Sequence, residues 1–163
     1  MARVVDARRT RFGGLFGDYE MGDRFLHWPG KTITESDDHL FCLLTLAASP
    51  LHVDRHYAET EMADGRNIVV GTFVYSLLLG MSVPDVSGRA IANLGVENLK
   101  HIAPMHHGDT LYGESEVVGL RPSASRPEAG ILTVTTTGAN QDAVVVCRFT
   151  RSVLVPRADE GRR

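Results

Sequence analysis

The sequence predicts an α+β protein in which an antiparallel β-sheet wraps around a central buried helix. Residues 68–83 read IVVGTFVYSLLLGMSV and are apolar on nearly every face of a helix, which predicts a helix that is buried all round. Residues 90–155 then contain four long segments typical of strands, separated by turn-rich stretches. The length of 163 residues, of which 43% are hydrophobic, suits one domain built on such a core.

The first part of the chain predicts an arm, a strand and a capped helix. Residues 1–20 mix Arg, Gly and aromatic residues without a regular period, so we expect an N-terminal arm there. Residues 21–34 alternate and then break at a Pro-Gly pair, which indicates a strand that enters a loop. Thr34 should cap a helix, because the acid Asp37 follows three residues later, and this helix should end before Pro50.

The elements that follow are bounded by turn signals. The sequence predicts a short helix over residues 54–62, and Asp64-Gly65 after it is a turn signal. The central helix should close near Pro84, because proline interrupts a helix. The four strands are expected over residues 90–101, 110–120, 130–139 and 143–155.

Composition excludes several classes of protein. The chain has 17 basic and 20 acidic residues and a formal charge of −3, so no global charge favours nucleic acid. Cys42 and Cys147 each lie in an apolar run, which indicates buried thiols rather than a disulfide scaffold. No Gly-x-Gly-x-x-Gly, P-loop or Cys-x-x-Cys motif occurs, so we expect no cofactor. No apolar run approaches the ~20 residues of a membrane span, and no secretory signal is found, so we expect a cytoplasmic location.

The densest polar cluster is the segment AASPLHVD at residues 47–54. Pro50 fixes φ and directs the chain out of the helix, so His52 should lie on a rigid turn near the central helix. A histidine at the wall of a pocket is suited to general base catalysis near neutral pH. The alternative is a structural imidazole that is satisfied by local hydrogen bonds.

Three further histidines and an aspartate raise the question of a metal site. They are His101, His106, His107 and Asp109. Their spacing of His-x4-His-His matches no standard zinc signature, and two adjacent side chains in a loop seldom converge on one ion. We therefore expect no metal, with Asp109 serving as a turn residue.

Several pieces of the sequence, taken in order, resemble the MaoC-like hydratases, the family of R-specific enoyl-CoA hydratases. Together they cover about residues 15–155, and the style of LLTLAASPLHVD and RPSASRPEAGILTVTTTGANQ is closest to the mesaconyl-CoA hydratase (methylmalyl-CoA dehydratase) branch. The pieces are TITESDDHLFCLLTL, SPLHVDRHYAE, VVGTFVYSLLLG and NLGVENLKHIAPMHHGDTLYGESEV.

The resemblance implies a fold, a substrate and a partner. The fold would be a single hotdog, an antiparallel sheet wrapped around a central helix, over residues 21–157, with the arm at 1–20 and a tail at 158–163. The substrate would be a 2-enoyl or 3-hydroxyacyl thioester of CoA or of acyl carrier protein. Because one hotdog of this size resembles members whose active site is shared, we expect a homodimer or an assembly of dimers.

The catalytic turn of this family reads Gly-Asp-x-Asn-Pro-Leu-His, and the chain matches only its second half. Pro50, Leu51 and His52 agree with the motif. Leu46 replaces the glycine and Ala47 replaces the aspartate, while Ser49 replaces the asparagine. The acid of the catalytic pair is therefore missing from its usual position.

The resemblance also implies roles for individual residues. His52 would be the general acid and base, and the N–H of Gly71 at the start of the central helix would bind the thioester oxygen. Ser49 is the nearest polar side chain that could support His52. The positions expected to contact substrate are Ala47, Pro50, Thr72 and Ser76.

Ala47 leaves three explanations open. A nearby polar group such as Ser49 replaces the acid; Asp37 and Asp38 are poor substitutes, because they lie at the other end of the same helix and suit its first turn. Alternatively, a partner subunit or the substrate supplies the second group. The third explanation is a change of chemistry, to a hotdog thioesterase or to an acyl-thioester binding protein without catalysis.

Overall fold

The computed structural model of the chain describes residues 4–6 and 12–158. Its helices are α1 (Glu35–Thr45), α2 (Pro50–Val53), α3 (Arg55–Glu61) and α4 (Gly71–Ser82). Its strands are β1 (Val4–Asp6), β2 (Arg24–Leu26), β3 (Lys31–Thr32), β4 (Ala92–His101), β5 (Thr110–Pro122), β6 (Ala129–Ala139) and β7 (Val145–Pro156). Within the described residues, no helix is long and apolar enough to cross a membrane.

The strands form one sheet that packs against α4, as the sequence predicts. The order is β1-β2-β5-β6-β7-β4, with β3 also paired to β5, and every pairing except β1 with β2 is antiparallel. The four long strands begin and end within two residues of their predicted bounds. The α+β class, with an antiparallel sheet around a central helix, is therefore confirmed.

The central helix is buried on one face only, which corrects the expectation of a helix buried all round. Val74 and Leu78 of α4 pack into the core against the sheet, whereas Thr72 and Ser76 are exposed. Gly138 of β6 allows this close approach, because a Cβ there would lie 2.5 Å from Cδ1 of Leu78. A single sheet covers a single side of the helix, so the opposite side of α4 remains open in the isolated chain.

The helix α1 begins with the predicted capping interaction. The Asp37 N–H donates to Oγ1 of Thr34, and the Thr34 N–H donates back to Oδ2 of Asp37 at 2.9 Å. Lys31 Nζ lies 2.7 Å from the same carboxylate oxygen. These hydrogen bonds, with that of Lys31 the strongest, lower the pKa of Asp37 to about 2. The helix ends at Leu46 in the left-handed conformation with φ 59°, before Pro50 as expected.

The region expected as an arm is in part packed onto the sheet. Residues 4–6 form β1, and Tyr19 is 6% exposed, with its ring centroid 5.9 Å from that of Phe25. The Tyr19 hydroxyl lies 3.1 Å from the carbonyl oxygen of Asp85. The strand expected over residues 21–34 is divided into the short strands β2 and β3.

An arginine lies inside the core beside α4. Arg151 of β7 is fully buried, and its Nη2 donates to Oγ of Ser82 at 2.9 Å. Its Nη1 reaches Oδ1 of Asn93 at 3.4 Å. Removal from water disfavours the charged guanidinium and lowers its pKa. Ser82 is thus one of the few polar groups that satisfy this buried cation.

Candidate active site

His52 lies on the one-turn helix α2, which begins at Pro50 as the sequence predicts. The backbone N–H of His52 donates to the carbonyl of Ser49 at 3.0 Å, and its side-chain Nδ1 lies 2.6 Å from the carbonyl oxygen of Ile68. Because a carbonyl only accepts, Nδ1 must carry the proton of this hydrogen bond. In the neutral ring, Nε2 is then the unprotonated nitrogen. One nitrogen therefore has the structural role and the other is available as a base.

A cavity of about 380 Å³ brings His52 and Gly71 together. Its wall is mostly apolar, and His52 and His101 are the only titratable side chains among the described residues that line it. The full lining is His52, Ile68, Val69, Gly71, Val74, His101, Ile102, Ala103, Pro104, Met105 and Val146. A mostly apolar cavity with two imidazoles and a helix N-terminus suits a small ligand that is largely apolar and carries a polar group.

Gly71 is the first residue of α4, where backbone N–H groups have no partner within the helix. Within the described part of the chain, no acceptor is found for the Gly71 N–H. This N–H therefore remains free to bind a ligand oxygen, and the positive end of the helix dipole favours negative charge there.

The three residues before Gly71 are extended and are held by backbone atoms. The carbonyl of Ile68 binds His52, and the N–H of Val69 donates to the carbonyl of Met105 at 2.8 Å. The N–H of Val70 donates to Oδ1 of Asp38 at 3.1 Å. Consequently, α4 begins three residues later than the start of the apolar run from which it was predicted.

Asp38 lies in the first turn of α1, as expected, and its side chain also reaches the start of α4. The residue is fully buried, and besides the Val70 N–H it binds Nε2 of His107 at 3.0 Å. Its side chain points inward from α1, whereas Asp37 points outward and caps. Asp38 is therefore a positioning residue for the segment that leads into Gly71.

The imidazole of His101, the last residue of β4, lies directly against Gly71. A Cβ at position 71 would be 2.8 Å from Cε1, 2.9 Å from Nδ1 and 3.0 Å from Nε2 of this ring. Only glycine lets the ring approach the backbone this closely. His101 is exposed, and within the described residues its ring makes no hydrogen bond or ion pair.

The remaining residues expected in the site are outside the cavity wall. Ala47 is partly buried, and its N–H donates to the carbonyl of Cys42 at 3.0 Å. Ser49 and Pro50 are exposed beside His52. Thr72 and Ser76 lie on the exposed face of α4, where the Ser76 hydroxyl donates to the Thr72 carbonyl at 2.8 Å. The structure thus brings His52 and Gly71 together in the cavity wall. The other five expected positions do not line the cavity.

The histidines after His101 have structural partners. Nδ1 of His106 lies 2.9 Å from the carbonyl oxygen of Asn67, and its Nε2 is 3.1 Å from a carboxylate oxygen of Asp64. The N–H of His106 donates to Asp109 at 2.8 Å, which agrees with the expected turn. Over residues 4–6 and 12–158, no group of three or more His, Cys, Asp or Glu side chains that could hold a metal is found.

A second group of polar side chains is buried in the core. His27 lies 2.6 Å from Asp85 through Nδ1 and 2.8 Å from the Ser115 hydroxyl through Nε2. The Ser115 hydroxyl is 2.7 Å from that of Thr136. This order of acid, imidazole and hydroxyl is that of a serine hydrolase, but Ser115 is 1% exposed and no substrate could reach it. These hydrogen bonds therefore satisfy polar side chains that are buried in the core.

The sheet, its central helix and the cavity at the helix N-terminus define a hotdog-fold protein. A Mycobacterium tuberculosis protein described as having a double hotdog fold superimposes with a TM-score of 0.74 at 25% identity, over 93% of this chain and 46% of that one. The family described as mesaconyl-CoA hydratase matches residues 1–162, and the chain belongs to that family.

Relatives with more specific names share about a third of the sequence. The β-methylmalyl-CoA dehydratase of Chloroflexus aurantiacus is 32% identical over 93% of this chain and 42% of its own length. The structure of a protein from the same organism, described as a MaoC domain protein dehydratase, matches with a TM-score of 0.85 at 32% identity, over 95% of this chain and 44% of that chain. The chain spans less than half the length of the first curated relatives it matches.

Proposed function

We propose that the protein is a hydratase and dehydratase of acyl thioesters. It would add water reversibly across the double bond of a 2-enoyl thioester of CoA or acyl carrier protein and form the 3-hydroxyacyl thioester. The observation that carries this proposal is the pairing of His52 with the Gly71 N–H on one small apolar cavity. Family membership and the names of the relatives support the same reaction.

The geometry suggests how the residues would act. Nε2 of His52 accepts a proton from water as the water oxygen attacks the β-carbon. The Gly71 N–H donates to the thioester oxygen and stabilises the negative charge that develops on it. Since Ile68 holds Nδ1 of His52, the ring keeps the tautomer that this step needs. Dehydration follows the same steps in reverse.

Ala47 favours a second candidate, acyl-thioester binding without catalysis. An alanine cannot orient water, and none of the described residues that line the cavity carries a carboxylate. The same observation disfavours the thioesterase alternative, because a carboxylate that attacks or activates water would have to lie beside the acyl carbon.

The proposal is tested with a panel of enoyl-CoA esters from crotonyl-CoA to mesaconyl-CoA. Hydration removes the conjugated double bond and its absorbance, while hydrolysis is followed as release of free thiol. We expect hydration without thiol release, and we expect His52→Ala to lower kcat by about 10²- to 10⁴-fold. His56→Ala, on the exposed side of α3, is the matched control and should retain the rate. Saturable binding of these esters without turnover would instead establish the binding protein.

We further propose that a second hotdog unit covers the open side of α4, in a homodimer. Leu43, Leu44 and Leu46, at the end of α1, are 74%, 74% and 87% exposed, and they offer apolar surface that a second unit would cover. The double length of the relatives supports a paired unit. Sedimentation should give a dimer that Leu44→Glu dissociates, while Val144→Glu, in an exposed hairpin turn, leaves it intact. A wild-type monomer would contradict this proposal.

A further inference from the structure

We propose that His101 is the second proton-transfer residue of this site and takes the place of the acid that is absent at position 47. The inference rests on the proposed hydration reaction and deepens it. Addition of water across a double bond requires one group to remove a proton from water and another source to deliver a proton to the α-carbon. The described lining of the cavity offers two titratable side chains for these tasks, His52 and His101.

The position of Gly71 assigns the two tasks. If the Gly71 N–H binds the thioester oxygen, the α-carbon lies only two bonds from that oxygen and must also be next to Gly71. The three atoms nearest to an added Cβ at position 71 all belong to the His101 ring, at 2.8, 2.9 and 3.0 Å. A donor within this reach can protonate the α-carbon directly or through one water.

The environment of the exposed His101 differs from that of its neighbours in sequence, His106 and His107. His106 is bound through both ring nitrogens, and His107 is bound to Asp38. His101 is exposed and has no hydrogen-bond partner among the described residues, so its nitrogens can exchange protons with solvent. A structural histidine would be expected to satisfy a neighbouring polar group, as His106 does.

The proposed step balances in atoms and charge. His52 removes one proton from water while the oxygen forms a bond to the β-carbon and the π electrons of the double bond move toward the α-carbon and the thioester oxygen. His101, in its protonated form, then gives its proton to the α-carbon, which forms the new C–H bond. The enzyme is left with a protonated His52 and a neutral His101. Proton exchange with solvent through the open cavity restores both.

The test compares His101→Phe and His101→Gly with the wild-type protein in the hydration of crotonyl-CoA and mesaconyl-CoA. Phenylalanine fills the same space but carries no proton, so we expect kcat to fall about 10²- to 10⁴-fold while KM changes less than about threefold. Added imidazole should restore a measurable part of the rate of His101→Gly, which a packing role would not allow. His56→Phe, on the exposed side of α3, is the control and should behave as the wild type.

The outcomes separate this inference from the proposed function. Wild-type hydration together with a His101→Phe rate within threefold of it would overturn the role of His101 and leave the function intact. A loss of rate in His101→Gly that imidazole fails to restore would also overturn it, in favour of a structural role. A wild-type protein that hydrates none of the esters would overturn the proposed function and this inference together.

Discussion

The substitution Gly71→Ala should separate activity from stability. A methyl group at position 71 would lie 2.8 Å from the His101 ring, whereas ordinary contacts begin at 3.4 Å, so the ring must move by at least about 0.6 Å. His101 is an exposed side chain, and such a ring can move at little cost. Alanine also suits a helix better than glycine, by roughly 0.5–1 kcal/mol in a helix interior. We therefore expect the free energy of unfolding to change by less than about 1 kcal/mol.

The effect on catalysis should be much larger. The displaced ring and the added methyl group would both narrow the space in which the proposed thioester approaches the Gly71 N–H. Loss of one donor to a developing oxyanion costs about 10²- to 10³-fold in kcat, and a misplacement of about 1 Å costs about 10²-fold. We expect kcat/KM for the hydration of crotonyl-CoA to fall at least about 10²-fold, measured beside thermal unfolding of the same samples.

The control is Gly80→Ala, in the same helix, where an added Cβ meets no atom within 4 Å. It should leave kcat/KM unchanged and raise the free energy of unfolding by roughly 0.5–1 kcal/mol, because alanine suits a helix interior better than glycine. The reasoning would be refuted if Gly71→Ala kept the wild-type kcat/KM. It would also be refuted if the variant lost more than about 2 kcal/mol of stability, since the contact would then be structural.

Three further predictions concern residues around the site and in the core. Asp38→Ala should lower kcat and destabilise the fold by about 1–3 kcal/mol, because a buried backbone donor loses its acceptor, and Asp38→Asn should recover part of both in kinetic and urea-unfolding measurements. Asp37→Asn should cost about 1 kcal/mol at neutral pH. Because the folded-state pKa of Asp37 is lowered to about 2, this difference should shrink as the pH falls below about 4 and disappear only below pH 2, as measured by urea unfolding across that range. Ser82→Ala should cost about 1–3 kcal/mol, because Arg151 loses a partner in the core, whereas the control Ser76→Ala should stay within about 0.5 kcal/mol by thermal unfolding.

The sheet was predictable because its signal is local. Alternating residues and turn-rich connections predict β4 to β7 within two residues at each end. The start of α4 was not, since the apolar run from Ile68 does not reveal that Val69 pairs with Met105. That partner belongs to a different part of the chain, and tertiary hydrogen bonds override helix propensity there.

The same difference between local signals and long-range contacts explains which residues of the site could be predicted. His52 was predictable, because Pro50 beside it determines where the chain leaves the helix. The sequence pattern indicates His101 only as a candidate metal ligand. Its contact with Gly71 depends on how α4 packs against the end of β4, and no local sequence pattern predicts this packing. Asp38 likewise has its partner at Val70, which lies 32 residues further along the chain. Long-range packing, rather than residue type, determines both roles.

The site depends on the backbone atoms, rather than on the side chains, of the extended residues before α4. The hydrogen bonds that hold His52 and the start of α4 end on the backbone atoms of residues 68–70. Ile68 and Val69 meanwhile line the cavity that would hold the proposed acyl group. Replacing these two side chains by others of different size could therefore reshape the acyl pocket while the base and the oxyanion donor keep their separation. This short segment is where we would begin to redesign the range of substrates.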